Sequence, residues 1–355
     1  MNVKRIQSDL QGIRRQIGPL TIEQVIRFVD AAAPPLRQTF EAIRAERPVD
    51  WLELHRVSRL FPLLEDHRAY ETTLLRSDPG LDLPVLQEAR FIGRGNGEGS
   101  LNCYRRAKLG GRPVFEKVYL RDSDAWAKLT WFHFQMLPRL GDRIRTPRIV
   151  EIAEGDRIAV AYFTFEAGTR AVLPEQLLAA GLTLQGIRAE IPSDPPLIEA
   201  VTDFRREVMY RAGVKSLQRL LARAGTDTGL QRSCEARILQ DDIPRCLAHG
   251  DLIPENLLAD GRLLDFDKCG VYPAGYDAAY LMSKAMGIAS VEAFEAFAEA
   301  EIIRECPGTR LSLFYFACVY YSRKIRVELP DDLILALFER LMQHMQADDG
   351  ASCAA

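Results

Sequence analysis

The chain has 355 residues, 47% of them apolar and 27% charged. That balance belongs to one large globular domain or two to three smaller ones, and excludes a disordered or collagen-like chain. No apolar run approaches the roughly 20 residues of a membrane-spanning helix, and the opening MNVKRIQSDLQGIRRQIG interrupts its apolar positions with charge too often for a signal peptide. Seven cysteines without a CxxC pair or zinc-site spacing disfavour a disulfide framework and structural zinc, and point to reduced thiols in a soluble, cytoplasmic protein. A net charge of −3 with no aromatic–basic module argues against nucleic acid as a partner. The charge is unevenly spread: residues 86–150 carry 13 basic and 6 acidic side chains, residues 151–355 carry 21 and 31. A basic stretch before an acidic one suits a polyanionic ligand on the first, or is simply a solvated face.

Residues 1–85 read as an accessory helical region. Val3, Ile6, Leu10, Ile13 and Ile17 recur at helical spacing. Thr21 with Gln24 makes a capping box ahead of Val25, Ile26 and Val29. Leu36, Phe40 and Ile43 follow Pro34-Pro35, and Trp51–Leu64 reads as another helix. Packing on the rest of the chain is the expectation for this region; a membrane-surface contact through residues 1–18 is the alternative, because the first helix is basic and amphipathic.

Residues 86–166 change period. Gln87–Gly93, Ser100–Lys108 and Pro113–Leu120 are short segments separated by Gly93-Arg94-Gly95-Asn96-Gly97-Glu98-Gly99 and by Gly110-Gly111, which predicts an antiparallel meander. A helix over about 123–140 and strands at Arg148–Ala153 and Arg157–Phe165 follow. Residues 167–348 read as mostly helical, with helices at Asp203–Ala224, Val291–Ile303, Leu311–Val327 and Asp331–Met345 around a strand-like middle at Arg245–Asp267. Residues 349–355 are expected to fray.

The glycine loop lets backbone N–H groups approach a phosphate, since no Cβ intervenes at Gly93, Gly95, Gly97 or Gly99. It does not open a helix, as a dinucleotide site requires, and on its own it is also compatible with a plain hairpin turn. Lys117, in Val114-Phe115-Glu116-Lys117-Val118-Tyr119, is either a snorkelling strand lysine or a phosphate ligand. The most informative segment is His249-Gly250-Asp251-Leu252-Ile253-Pro254-Glu255-Asn256, followed by Leu264-Asp265-Phe266-Asp267. Two carboxylates and an amide oxygen are hard donors suited to Mg²⁺, which takes few protein ligands and completes its shell with phosphate oxygens and water. Singly, Asp251 can cap a turn, Asn256 can sit in a left-handed turn and Asp265 can end a strand; the joint spacing is what argues for chemistry.

This constellation resembles the aminoglycoside phosphotransferase and choline kinase-like family, of protein-kinase-like fold. His249-Gly250-Asp251 with Asn256 matches its HGD-x4-N signature, and Leu264-Asp265-Phe266-Asp267 looks like its metal-binding strand. Gly275-Tyr276-Asp277-Ala278-Ala279 is similar to its further aspartate at the next helix, where an N-cap role alone explains Asp277. The resemblance covers about residues 86–345. It implies an α+β, bilobal fold: an antiparallel-sheet N-lobe at 86–166 and a mostly helical C-lobe at 167–348. It also implies ATP and Mg²⁺ as cofactors, with a small-molecule or saccharide hydroxyl as acceptor.

Carried over, Asp251 is the base for the acceptor hydroxyl and His249 orients its loop. Asn256 and Asp265 hold Mg²⁺, and Lys117 the α- and β-phosphates. Asp267, two residues beyond Asp265 in an extended chain, faces the same side and joins the second metal or only its shell. The strand ending at Thr164 and Glu166 offers backbone groups to adenine. One departure stands out: residues 123–140 contain no glutamate to pair with Lys117. A protein or lipopolysaccharide-core kinase and a nucleotide-binding pseudokinase with a regulatory role are the alternatives. The acidic residues Asp203, Glu207, Asp241 and Asp242 are compatible with a cationic acceptor such as an aminosugar.

Overall fold

The structure is a computed structural model and describes residues 3–32, 34–45, 47, 57, 60, 63–64, 78, 80–93, 100–165, 168–169, 174–240, 243–285, 288, 290–304, 306–323 and 330–352. Gly95, Gly97 and Gly99 of the glycine loop lie outside the described residues, as do Glu166, Asp241, Asp242, most of 51–64 and residues 324–329. The chain divides into two compact units, Met1–Trp126 with Arg148–Phe165, and Ala127–Pro147 with Glu166–Ala355. Residues 1–85 thus share a unit with the sheet.

In the first unit, α1 (Val3–Ile17), α2 (Ile22–Ala32) and α3 (Pro34–Arg44) precede β1 (Leu86–Gly93), β2 (Ser100–Leu109) and β3 (Arg112–Leu120). The capping box forms as the sequence implies: the Thr21 amide donates to Gln24 Oε1 at 2.8 Å and the Gln24 amide to Thr21 Oγ1 at 3.2 Å. With β4 (Ile149–Glu154) and β5 (Ile158–Thr164), the strands make one antiparallel sheet in the order β1-β2-β3-β5-β4. Alternation along β3 sorts its side chains between two faces. Val114 and Val118 join Ile6, Leu10, Val25, Val29, Leu36 and Phe40 in a single apolar core, so the helices of 1–85 cover one face of the sheet. Phe115, Lys117 and Tyr119 fall on the other face.

Glu116 shares the helix-covered face and is fully buried there. Arg105, its register partner on β2, neutralises it through two bonds of 2.6 and 2.7 Å. Asp78 closes the β4–β5 turn: its buried carboxylate accepts the Arg157 and Ile158 amides at 3.1 and 2.8 Å.

The segment after β3 is not one α-helix. It runs as α4 (Asp124–Thr130), a π-helical turn at Trp131–Met136, and α5 (Leu137–Leu140).

The second unit adds α6 (Pro174–Gln185), α7 (Pro195–Thr202), α8 (Val208–Arg223) and α9 (Gly229–Gln240), then a two-stranded ribbon of β6 (Arg245–Ala248) and β7 (Gly270–Pro273). It ends in α10 (Tyr276–Ala285), α11 (Val291–Ala298), α12 (Arg310–Tyr321) and α13 (Asp331–Ser352). Every residue of α12 from Leu311 to Tyr321 is buried, so that helix is the unit's axis. The helix expected over Asp203–Ala224 is broken. Asp203 caps a 3-10 turn at Phe204–Arg206, and Glu207, extended at φ −66° and ψ 124°, separates it from α8. Helical structure in α13 continues to Ser352, past the point where fraying is expected at 349.

A sheet-bearing unit followed by a mostly helical one is the α+β, two-lobed arrangement the resemblance implies. No helix among the described residues is long and apolar enough to cross a membrane.

Candidate active site

The loop after β6 is built around a close backbone approach. Gly250 has φ +78°, and a Cβ there would lie 2.0 Å from the Lys268 carbonyl oxygen. Only glycine satisfies both the angle and the gap. His249 is fully buried beside it. Its Nδ1 accepts the Asp251 amide at 3.3 Å, which assigns the proton to Nε2, and Nε2 donates to the Leu264 carbonyl at 2.7 Å. The His249 ring also lies 4.6 Å from Phe266, which stacks on Phe132 at 3.8 Å. His249 therefore ties the loop to the segment carrying Asp265.

Asp277 does not cap its helix. It is the second residue of α10, and its buried carboxylate accepts the His249 amide at 2.5 Å and the Gly250 amide at 2.9 Å. Burial is the largest influence on it and pushes the carboxyl above the usual range, against the pull of those donors.

Asp251 is the partly exposed carboxylate at the centre. Oδ1 accepts the Tyr280 hydroxyl at 2.8 Å and Oδ2 accepts Lys268 Nζ at 2.9 Å. Neither partner was legible in the motif. Lys268 follows Asp267 directly, and Tyr280 lies one helical turn beyond Asp277, but no spacing rule links either to Asp251. Burial works against the charge on Lys268, yet Asp251, Asp265 and Glu207 together hold its pKa above the ordinary lysine value.

Asn256 ends a 3-10 turn, Pro254–Asn256, and its Nδ2 donates to the Asp251 carbonyl at 2.9 Å. That bond fixes the amide's orientation and leaves Oδ1 as its acceptor end. The Leu264 amide donates to the Asn256 carbonyl at 2.8 Å, so Asn256 is strapped to the residue preceding Asp265. Asp265 is exposed and left-handed, φ 66° and ψ 64°, a conformation uncommon outside glycine and typical of functional positions. Because Asp265 is left-handed and Phe266–Lys268 forms a 3-10 turn, the chain between Asp265 and Asp267 is not extended. The alternation argument that put both carboxylates on one side therefore fails. Among the described residues no three His, Cys, Asp or Glu side chains cluster as a metal nest. Asn256 and Asp265 remain as hard oxygen donors of the kind Mg²⁺ takes sparingly from protein.

In the sheet unit, Gly93 ends β1. Lys117 is buried, its Nζ 5.3 Å from the centre of the Tyr119 ring. Thr164 donates its amide to the Arg148 carbonyl at 2.8 Å and accepts the Arg148 amide on Oγ1 at 3.0 Å, so both groups are engaged within the sheet.

Two of the acidic residues considered for a cationic acceptor are otherwise engaged. The Asp203 carboxylate takes Arg205 at 2.7 and 2.9 Å; burial pushes its pKa up, and the Arg205 bonds more than reverse this, leaving it lowered. Glu207 is buried against Lys128, and Tyr272 bridges them: Lys128 Nζ donates to the Tyr272 hydroxyl at 2.8 Å, which donates to Glu207 Oε1 at 3.1 Å. Removing one member of such a pair strands a charge and costs about 3–5 kcal/mol, whereas an apolar replacement of both is close to neutral. Lys128→Met should lose stability of that order in urea unfolding, and Lys128→Met with Glu207→Leu should regain most of it. A double variant no better than the single would mean the site needs the charges themselves.

A family model described as "Phosphotransferase enzyme family" matches residues 95–311. Among solved structures, a spectinomycin phosphotransferase with ADP and spectinomycin is 14% identical at a TM-score of 0.40, over 76% of this chain and 92% of that one. An ethanolamine kinase of Plasmodium vivax is 14% identical at 0.39, over 82% and 87%. An aminoglycoside phosphotransferase from Streptomyces rimosus is 18% identical at 0.37, over 68% and 91%. Likeness at this level bears on neither substrate nor site. No curated protein matches the chain.

Proposed function

The chain belongs to the phosphotransferase enzyme family, and from that premise we propose that it moves the γ-phosphate of Mg·ATP to a hydroxyl of a small molecule or saccharide. The observation that carries this reading is the Asp251 carboxylate, partly exposed and held at both oxygens. Asn256 is bonded to the same residue's carbonyl, and Asp265 stands in a strained backbone conformation one residue beyond Asn256's partner, Leu264.

In this reading the acceptor O–H gives its proton to Asp251 as its oxygen bonds to the γ-phosphorus. The bond from that phosphorus to the β–γ bridging oxygen breaks, and its electron pair leaves with ADP. Lys268 donates to Oδ2 of Asp251 and so fixes one of its two oxygens. His249 and Asp277 fix the loop backbone, so that the base is positioned before substrate arrives. Asn256 and Asp265 would hold Mg²⁺, whose chemistry here is neutralisation of phosphate charge; Asp267 has lost the geometric argument that joined it to them. Lys117, with Gly93, Gly95, Gly97 and Gly99, would take the phosphates, and the stretch from Thr164 to Glu166 would border the adenine.

With Asp203 bonded to Arg205 and Glu207 to Lys128, neither argues for a cationic acceptor. A panel of sugars, aminosugars and amino alcohols, screened for ADP release with Mg·ATP, should reveal at least one acceptor that raises turnover well above the rate with water. A protein that binds Mg·ATP and turns over with none would favour the second reading, a nucleotide-binding regulator. The absence of any glutamate from 123–140 is the observation on its side.

A further inference from the structure

One helical turn of α10 grips three consecutive residues of the catalytic loop. Asp277 takes the amides of His249 and Gly250, and Tyr280, three residues on and so on the same helix face, takes the side chain of Asp251. Tyr280 is itself held: it is 2% exposed, and its ring meets Tyr320 of α12 edge-on at 4.9 Å. On the other oxygen, Lys268 is placed by its own short turn, whose carbonyl lies against Gly250.

We propose that Tyr280 and Lys268 are positioning residues that clamp the Asp251 carboxylate from opposite oxygens, so that its remaining lone pairs face the acceptor hydroxyl in one rotamer. This rests on the reading of Asp251 as the base.

A carboxylate offers about four acceptor directions, and two are taken here by donors from two different elements. An aspartate held at one oxygen only keeps freedom about its terminal torsion, which is broad and roughly two-fold; bonds to both oxygens remove it. A misplacement of about 1 Å in a reacting group can cost on the order of 10²-fold in rate. The Tyr280 donor, buried and braced by α12, acts as the fixed stop. The Lys268 donor adds charge, and its side chain is 24% exposed, so it sits where solvent and ligand can also reach it.

The test uses full-length wild type, Tyr280→Phe, Lys268→Met and Lys268→Arg. Crystal structures of wild type and Tyr280→Phe read the Asp251 rotamer without reference to activity. One conformer is expected in wild type, with two conformers or a rotated carboxylate in Tyr280→Phe, while the Asp277 bonds persist. ADP release with Mg·ATP reads the consequence: about tenfold lower kcat for Tyr280→Phe at unchanged KM for ATP. Lys268→Met should fall further, with Lys268→Arg recovering most of the loss. A merely structural role would instead move the midpoint of thermal unfolding and leave this kcat-against-KM split absent. An unmoved single conformer in Tyr280→Phe, or kcat unchanged in it, overturns the clamp. A wild type inert toward every acceptor sinks the phosphotransferase reading alone, and the rotamer still decides the clamp.

Discussion

Asp251→Asn should bind Mg·ATP with close to wild-type affinity and turn over about 10²–10⁴-fold more slowly, the range a general base contributes. The structure explains why the variant isolates that one loss. Asparagine is isosteric, and its amide oxygen can keep the Lys268 bond while its NH₂ faces the Tyr280 hydroxyl, which can accept as well as donate. The backbone bonds of residue 251, to His249 Nδ1 and from Asn256, do not involve the carboxylate.

Asp265→Asn should fail differently. Asparagine tolerates the left-handed backbone at 265 about as well as aspartate does, so the variant keeps its fold and loses a charge. Its defect should be in Mg²⁺-dependent nucleotide binding itself. Calorimetry of ATP binding with and without Mg²⁺, beside a turnover assay, separates the two. If nucleotide affinity is unchanged in Asp265→Asn, Asp265 is not a metal ligand.

Much of the sheet and of the site was legible because its signals are local. Alternating apolar residues and the glycine pairs located all five strands of the N-terminal unit to within a residue or two. The capping box at Thr21 and Gln24 rests on a three-residue spacing, and forms as such. The candidate loop was readable because His249, Gly250, Asp251 and Asn256 lie within eight residues.

What was not legible depends on residues distant in sequence. Tyr280 and Lys268 reach Asp251 across 29 and 17 positions. Lys128 reaches Glu207 across 79, and no periodicity encodes such a meeting. Asp277 was misjudged for a related reason: an aspartate near a helix start has a local explanation, and only the fold shows its carboxylate turned to another loop. Asp267 and the Asp203–Ala224 helix failed on backbone conformation. A left-handed residue at 265 and an extended one at 207 redirect the chain against a pattern that reads as regular.

Gly250→Ala should damage both stability and turnover, and Gly261→Ala provides the contrast that tells why. Both glycines are left-handed, at φ +78° and +83°. A Cβ at 261 meets nothing within 4 Å, so that variant carries backbone strain alone, about 1–2 kcal/mol. A Cβ at 250 would come within 2.0 Å of the Lys268 carbonyl oxygen and 2.7 Å of its carbon, both backbone atoms that cannot rotate away. Either the loop retreats, weakening the Gly250 amide's bond to Asp277, or the turn at Phe266–Lys268 retreats and takes the lysine from Asp251. Each route loosens the hold on Asp251. The expected cost is about 3 kcal/mol or more, strain and a disturbed buried hydrogen bond together. Turnover should drop on the order of 10²-fold, as for a misplaced reacting group. Urea unfolding and ADP release measured on the two variants side by side decide the matter. Equal losses at 250 and 261 would mean that the approach of Gly250 to Lys268 is not what holds Asp251 in place.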